Sequence, residues 1–342
     1  MRVVLDTTFS RRGASGTAVY VARLAEALEA EGVEVCQVAN ERRGSPGAGS
    51  ATSVRNLLED WRWTAVELPR QARRLGADVL HHPLPAHSRG PCPQVTTVHD
   101  LAFVSHPELF DRRFAVWAAQ AHARAVRRAG AVVCVSQATR AEMLRFWRVD
   151  TERVVLAPHG PGQPLPRRPR ASQPEHFLYV GDDEPRKGVG LLLQAHARYR
   201  ETWPGPGAPL GLVLAGRAGR AAAGVRVEGR VSAERLAELH AGAAALVHPA
   251  RHEGFGLTLI EAMALGTPVL AVANAAVREV CGDAVLHPHG DGATALAAEL
   301  ARLHREPELR ARLSSAGPAR AAGFSWRASA RAHIEAYTLA GR

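Results

Sequence analysis

Apolar and polar positions along this chain follow two alternating periods. Short runs rich in valine and leucine, such as residues 2–6 and 95–99, are typical of buried β-strands. Between such runs, residues 17–31 place apolar side chains three and four positions apart, as one face of a helix requires. That face consists of Tyr20, Val21, Leu24 and Leu28. Gly32 is suited to end the helix. The alternation predicts an α/β fold with a parallel sheet covered by helices.

The predicted strands form two groups, separated by a proline-rich segment. The first group covers residues 2–6, 33–38, 78–81, 95–99, 132–136 and 154–157, and the second covers residues 177–180, 212–215, 225–228, 245–248 and 269–272. Residues 160–175 hold five prolines and two glycines, and proline lacks the amide hydrogen that helices and sheets need. At 342 residues the chain is also long for one core. We therefore predict two doubly wound domains, residues 1–160 and 176–325, with a linker over 161–175 and a final segment over 326–342. Ligands of such domains bind at the carboxyl ends of the strands, and we expect them in a central cleft.

Composition excludes several classes of protein. A hydrophobic content of 46% with 22% charged residues is that of a soluble globular protein. No apolar run reaches the ~20 residues of a membrane span, and charge appears too early at the N-terminus for a signal peptide. Four cysteines without a CxxC spacing favour neither a disulfide framework nor a zinc site. A cytoplasmic location is the expectation.

A net charge of +10 raises the question of an anionic partner. Only 5% of residues are aromatic and no basic run is interleaved with them, so we expect no specific nucleic acid. Residues 52–75 nevertheless combine basic and aromatic side chains. They include Trp61, Trp63, Arg55, Arg62, Arg70, Arg73 and Arg74. Three interpretations of this segment are open. It lies on the inner, anionic membrane face, it holds an acidic or lipid-linked acceptor, or its tryptophans simply pack on the domain.

Residues 252–269 are the most informative part of the chain. Glu253 stands in a glycine-rich loop after a predicted strand, and Glu261 follows near the start of an apolar helix. The loop glycines, Gly254 and Gly256, let main-chain amides approach a ligand closely. The positive end of the helix dipole suits a phosphate. Together these features predict a site for a sugar nucleotide.

Three other segments add polar groups to the same expected cleft. Lys187 and Arg186 follow a strand and precede a helix, where a cation can neutralise a diphosphate leaving group. His99 ends a predicted strand and can hydrogen-bond a sugar hydroxyl or the leaving group. Gly16, with Gly13, lies in the loop that opens the first helix. No HExxH or Asp-x-Asp pattern is present, so no metal site is predicted.

These segments resemble the E-x7-E motif and its companions in retaining, nucleotide-sugar-dependent glycosyltransferases of the GT-B fold, above all family four. Further similarities are Val133-Cys134-Val135-Ser136, Pro158-His159-Gly160, Glu279-Val280-Cys281-Gly282-Asp283-Ala284 and Phe324-Ser325-Trp326. The chain departs from the family in carrying Ala250 for serine, Thr258 for proline, and Asp182 where many members have a phosphate-binding arginine.

The resemblance implies roles for the site residues. Glu253 would contact the transferred sugar, with His99 and Lys187 completing the catalytic set, and Glu261 would bind the ribose. The other donor-binding residues would be Gly16, Arg186, Lys187, Gly254, Phe255, Gly256, Leu257 and Thr258. It also implies two Rossmann-like domains, of which the N-terminal one binds the acceptor, and a C-terminal helix that packs back toward that domain.

The implied activity is that of a metal-independent, retaining hexosyltransferase without a cofactor. A UDP- or GDP-sugar would be the co-substrate and an unknown hydroxyl compound the acceptor, as in the synthesis of cell-surface polysaccharides or glycoconjugates. The segments around His99 and Lys187 favour a mannosyltransferase-like branch. The alternatives are a catalytically silent sugar-nucleotide-binding protein, which the absent arginine would favour, and a nicotinamide-dependent dehydrogenase, which the absence of GxGxxG opposes.

Overall fold

The computed structural model describes residues 1–10, 15–42, 50–90, 92–217 and 219–342, except for the side chains of residues 50–54 and 57. The chain divides into two compact units. Unit 1 comprises Met1–Gly162 and Ser325–Arg342, and unit 2 comprises Gln163–Phe324.

Unit 1 is built on a six-stranded parallel sheet of order β2-β1-β3-β4-β5-β6. Its strands are β1 (Arg2–Asp6), β2 (Glu34–Val38), β3 (Val79–His82), β4 (Gln94–Val98), β5 (Ala131–Cys134) and β6 (Val154–Leu156). The central strands are buried on both faces, as the continuous apolar runs predict.

Helices cover this sheet. They are α1 (Gly16–Ala30), α2 (Ser50–Arg62), α3 (Leu68–Arg74), α4 (Ala102–Ser105), α5 (Arg112–Arg128), α6 (Gln137–Phe146) and α13 (Trp326–Ala340). A π-helical turn (Trp63–Glu67) joins α2 to α3. The last helix, α13, packs against α1 and against β4, β5 and β6, although more than 160 residues separate it from them along the chain.

Unit 2 contains a five-stranded parallel sheet of order β11-β10-β7-β8-β9. Its strands are β7 (His176–Val180), β8 (Gly211–Ala215), β9 (Val225–Gly229), β10 (Ala243–His248) and β11 (Val269–Ala271). Its helices are α7 (Val189–Glu201), α8 (Ala233–Gly242), α9 (Leu257–Ala264), α10 (Ala275–Cys281), α11 (Gly292–Arg305) and α12 (Pro307–Ala321). Helices α7 and α11 form the largest helix contact of the unit.

The proline-rich segment is fastened to unit 2 from residue 163 onward. Arg170 donates hydrogen bonds to the main-chain oxygens of His240 and Ala243, both at 2.5 Å. His176 then begins β7. The segment has no helix or strand of its own because its prolines cannot donate the necessary bonds.

The predicted α/β fold of two parallel sheets is confirmed, and the predicted strands lie within two residues of those observed. Helices α5 and α6 were not predicted from the sequence pattern. Among the described residues, no helix is both long and apolar enough to cross a membrane.

Candidate functional site

A buried ion pair lies at the carboxyl end of the unit 2 sheet. The Lys187 Nζ atom is 2.7 Å from Glu253 Oε2, and the Glu253 side chain is only 12% exposed. His248 Nε2, at the end of β10, lies 3.2 Å from the same oxygen. Glu253 therefore accepts hydrogen bonds from two separate segments of the unit.

The environment keeps Glu253 ionised. Burial alone would raise the pKa of this carboxyl, but the charge of Lys187, the hydrogen bond from His248 and the charge of Arg186 together hold the pKa well below its usual range. A carboxylate so stabilised is a weak base and a weak nucleophile at neutral pH. It is well suited to stabilise positive charge on a bound group.

The turn before α7 positions Lys187. Pro185–Lys187 forms one 3₁₀ turn, and Gly188 follows with a φ of +71°. A Cβ atom at Gly188 would collide with the main-chain oxygen of Pro249, which follows β10. Glycine is required here both for its left-handed conformation and for this close approach, which brings Lys187 next to the Glu253 loop.

The glycine-rich loop connects β10 to α9. Gly254, Phe255 and Gly256 are buried, and Leu257 and Thr258 are the first two, half-buried residues of α9. Gly256 precedes the helix with a φ of +91°, a conformation that favours glycine. The first bonds of α9 run from the Leu259 and Ile260 amides to the Gly256 main-chain oxygen, so the amides of Leu257 and Thr258 before them can donate to an anion.

The Phe255 side chain turns into the protein. Its ring packs edge-on against Phe324, with 5.6 Å between the ring centres. Of the donor-binding residues predicted in this loop, Phe255 can therefore offer only its main chain.

Glu261 is buried within α9 and differs in state from Glu253. Its Oε1 atom accepts a hydrogen bond of 2.8 Å from the main-chain amide of Gln163. Burial raises the pKa of Glu261 to about 7, although the Gln163 amide lowers it somewhat. Near neutral pH this side chain can both accept and donate hydrogen bonds, which suits a pair of vicinal hydroxyls.

Asp182 replaces the expected phosphate-binding arginine and is itself paired with one. Arg217, which follows β8, donates to Asp182 Oδ2 at 2.5 Å, and the Arg217 side chain is 55% exposed. Arg186 lies in the 3₁₀ turn, where its Nε atom is 2.9 Å from Glu184 Oε2. Sequence reasoning did not identify Arg217 or His248. His248 could have been found as the residue that ends the strand before the Glu253 loop.

The predicted residues of unit 1 lie at the corresponding ends of its strands and helices. Gly16 is the first residue of α1, and Ser15 caps that helix by accepting from the Ala18 amide at 3.2 Å. Gly13 lies outside the described residues. His99 follows β4 directly, and its Nε2 atom is 2.9 Å from the main-chain oxygen of Pro83. A carbonyl can only accept, so Nε2 carries the hydrogen and Nδ1 presents a lone pair.

Burial lowers the pKa of His99, in spite of the Pro83 carbonyl and the charge of Asp100. The ring is therefore neutral at neutral pH. Tyr20 packs against it edge-on, with ring centres 4.7 Å apart.

A chain of hydrogen bonds inside unit 1 holds these rings and fixes their protonation. His333 Nδ1 is 2.7 Å from the main-chain oxygen of Ser329, so Nδ1 is the donor and Nε2 the acceptor. The Tyr20 hydroxyl, 2.9 Å from His333 Nε2, must then donate to it. That hydroxyl is left to accept from Thr97, whose Oγ1 atom is also 2.9 Å away.

The same logic continues through Thr97 to His81 and Tyr337. Thr97 donates to Tyr20, so it accepts from His81 Nε2 at 2.9 Å. His81 Nδ1 then accepts from the Tyr337 hydroxyl, again at 2.9 Å. Every bond in the chain is satisfied only if both histidines are neutral, and burial lowers the pKa of His333 to about 4 and that of His81 well below its usual range. The chain connects α13 to α1, β3 and β4.

The described residues of the two units show no metal centre. No group of three or more His, Cys, Asp or Glu side chains in the described part of the chain is arranged to hold an ion. In the segment of residues 52–75, Trp63 is buried and donates to Asp6 Oδ2 at 3.1 Å, whereas Trp61 is 67% exposed.

Two family models match almost the whole chain. Residues 14–160 match Glycosyltransferase Family 4, and residues 166–320 match Glycosyl transferases group 1. The chain therefore belongs to the glycosyltransferases that these two models describe. The second match contains Lys187, Glu253 and Glu261, and the first contains Gly16 and His99.

Curated relatives have related activities. O-antigen chain mannosyltransferase B of Escherichia coli is 28% identical over 273 residues, which are 72% of this chain and 70% of that protein. A D-inositol 3-phosphate glycosyltransferase of Frankia alni is 33% identical, and the match covers 58% of this chain and 56% of the relative. A third relative, the D-inositol 3-phosphate glycosyltransferase of Streptomyces scabiei, is 32% identical, and the match covers 75% of this chain and 64% of the relative. The chain thus spans less than two thirds of the length of these two inositol phosphate glycosyltransferases.

Solved structures share the fold. Sucrose-phosphate synthase of Thermosynechococcus elongatus has a TM-score of 0.78 at 20% identity and covers 99% of this chain and 98% of its own. WaaG, a glycosyltransferase involved in lipopolysaccharide biosynthesis, has a TM-score of 0.71 at 18% identity over 99% of both chains. Both likenesses confirm the GT-B type of fold for this glycosyltransferase.

Proposed function

We propose that this protein transfers a hexose from a nucleotide-sugar donor to a hydroxyl acceptor, with retention of anomeric configuration and without a metal ion or cofactor. The observation that carries the proposal is the buried Lys187–Glu253 pair beside the amino end of α9. It joins a cation for a diphosphate to a carboxylate for a sugar, at the strand ends where such sheets bind ligands. The names of the curated relatives, one a mannosyltransferase, favour a sugar donor of this kind.

In the proposed reaction, the bond between the anomeric carbon and the diphosphate oxygen breaks, and the electron pair leaves with the diphosphate. Lys187, Arg186 and the free amides of α9 stabilise that negative charge, which makes a metal ion unnecessary. Glu261 holds the ribose hydroxyls. The bond to the acceptor oxygen forms on the same face of the sugar, and the acceptor proton passes to the departing phosphate oxygen.

Glu253 acts in this scheme as an electrostatic group. Its pKa is held well below the usual range, so it is a poor nucleophile, and we assign it the stabilisation of positive charge on the sugar. We expect His99, through its Nδ1 lone pair, to accept a hydrogen bond from a sugar hydroxyl. A covalent glycosyl intermediate on Glu253, detected by mass spectrometry, would contradict this assignment.

A nucleotide-release assay tests the function. Purified protein is screened with GDP-mannose, UDP-glucose and other UDP- and GDP-hexoses, with saccharide and lipid-linked acceptors, in the presence of EDTA. We expect turnover with one donor class and a product whose anomeric configuration, read by NMR, equals that of the donor. Loss of all turnover in EDTA would contradict the metal-independent scheme. Binding of a nucleotide sugar without release on any acceptor would favour the silent binding protein.

A pair of matched variants tests the site. Glu253→Gln keeps the shape but removes the charge, and we expect turnover to fall at least ~100-fold. Glu238→Gln is the control, because Glu238 is an exposed carboxylate of unit 2 that pairs with Arg235 on α8. Near wild-type turnover in Glu253→Gln would refute the role given to Glu253.

A further inference from the structure

One helix of unit 1 exposes apolar side chains that its own packing does not use. The exposed residues within the first nine positions of this helix, α5, are named the α5 surface. It consists of Arg112, Arg113, Phe114, Val116, Trp117 and Gln120. The opposite face of the helix, which includes Ala115, Ala118 and Val126, packs into the core of the unit.

The apolar part of the α5 surface is large for a face open to water. Phe114, Val116 and Trp117 are 47%, 53% and 55% exposed. The rings of Phe114 and Trp117 are neighbours, with 6.2 Å between their centres. Contiguous exposed aromatic area of this kind marks an interaction site more often than single exposed side chains do.

The charged side chains of helix α5 are all positive. Five arginines and no acidic residue occur within α5. Besides Arg112 and Arg113, they are Arg124, Arg127 and Arg128. Across the described ranges of the chain, none of the five forms an ion pair with a carboxylate. The neighbouring acidic side chains contact other groups. Asp111 accepts a hydrogen bond from the Phe114 amide as the cap of α5, and Glu108 lies beside His106.

We propose that the α5 surface binds an anionic lipid bilayer. Aromatic rings prefer the boundary between head groups and acyl chains, and arginine binds lipid phosphates while its apolar stem lies along the membrane. A helix of 17 residues, about 25 Å long, presents these side chains on one open face, to which a deformable lipid surface adapts more readily than a rigid protein. The uniform positive charge complements acidic head groups.

The second exposed tryptophan provides an internal comparison. Trp61 on α2 is 67% exposed, next to the exposed Leu58. The nearby Arg62 is already paired with Glu59 and Glu67, at 3.6 and 2.7 Å. The arginine next to Trp61 is thus paired with two carboxylates, whereas the arginines next to Trp117 form no such pair in the described part of the chain, and we assign the Trp61 side of α2 no membrane contact.

Vesicle co-sedimentation tests the proposal. The full chain is mixed with vesicles of phosphatidylcholine alone or with phosphatidylglycerol, at low and high salt. We expect binding to the anionic vesicles only, weakened by salt because screening shortens the range of the attraction. Arg112→Glu with Arg113→Glu, and separately Phe114→Ser with Trp117→Ser, should each weaken binding about tenfold or more. Trp61→Ser is the matched control and should bind like the wild type.

A second measurement does not depend on the double variants folding. Brominated lipids in the anionic vesicles should quench tryptophan fluorescence of the wild type, and Trp117→Phe should remove much more of that quenching than Trp61→Phe. Equal binding to neutral vesicles, loss of binding in Trp61→Ser alone, or a lack of any binding would overturn the proposal. So would a dimer in sedimentation analysis that the Phe114 and Trp117 changes dissociate, since the surface would then be occupied by a second copy.

Discussion

The two units place polar side chains at similar positions in parallel sheets but keep them in opposite electrical states. In unit 1, His81 and His333 are buried, neutral and joined through hydroxyl groups. In unit 2, Lys187 and Glu253 are buried as an ion pair, and Glu261 lies close to the point of ionisation at neutral pH. The first arrangement fastens α13 to the sheet, whereas the second holds charge ready for a ligand.

The difference has consequences for stability as pH changes. A buried neutral histidine with a lowered pKa stabilises the fold above about pH 6.5, and this stabilisation is lost as the pH falls toward the folded pKa. A buried glutamate with a raised pKa has the opposite effect: its stabilisation is present below its unfolded pKa and is lost as the pH rises. Unit 1 should therefore weaken in acid, and Glu261 should weaken unit 2 toward alkaline pH.

The largest expected effect comes from breaking the buried ion pair. Lys187→Met leaves the Glu253 carboxylate buried without its main counter-charge, and we expect a loss of about 3–5 kcal/mol in the free energy of unfolding. Adding Glu253→Gln should restore much of it, because no uncompensated charge then remains. Urea unfolding of both single variants and the double variant measures the coupling.

An exposed pair in the same region is the control for that measurement. Arg217→Met removes the partner of Asp182, and it should cost no more than about 1 kcal/mol because the pair is open to water. If both pairs cost the same, the buried environment assigned to Glu253 is wrong.

A smaller effect is expected from acidifying the histidine chain. The pKa of His333 is about 4 in the fold, against a usual value of 6.5. A difference of about 2.5 pH units is equivalent to about 3 kcal/mol, lost between pH 6.5 and 4. Urea unfolding at pH 7 and pH 4.5 should show this loss in the wild type and less of it in His333→Leu, which cannot titrate there. An identical pH dependence in the two proteins would show that His333 is not neutral in the fold.

An effect of similar size but opposite pH dependence concerns Glu261. Glu261→Gln keeps an oxygen for the Gln163 amide but cannot ionise. Relative to the wild type, the variant should gain about 3 kcal/mol in the free energy of unfolding between pH 4.5 and 8, as the wild-type carboxyl titrates with its pKa of about 7. Thermal melting at both pH values measures the gain. If the melting temperatures of the variant and the wild type differ by the same amount at both pH values, the pKa of Glu261 is ordinary.

Much of the site could be predicted because its residues are close in sequence. Glu253 and Glu261 are separated by seven residues that form one loop and the start of α9, so their spacing already indicated a shared site. Lys187 and His99 were predicted because each follows a strand of its own sheet, and ligands bind at the strand ends of parallel sheets. His248 and Arg217 were not found. His248 has a signal in the sequence, because it ends the strand before the Glu253 loop, whereas Arg217 gains its meaning only from Asp182, 35 residues away.

The sequence by itself determined the strands, the division into two sheets and the family, because periodicity, prolines and the E-x7-E spacing are local properties. Tertiary structure decided the protonation states and the exposed surfaces. The pKa of Glu261 depends on burial and on one amide from another segment, and the state of His333 depends on bonds that reach α1 and β4. Likewise Trp61, Trp63 and Trp117 are the same residue type, yet only packing determined that Trp63 is buried and that Trp117 lies exposed among unpaired arginines. Such properties arise from contacts between distant segments, which no local pattern records.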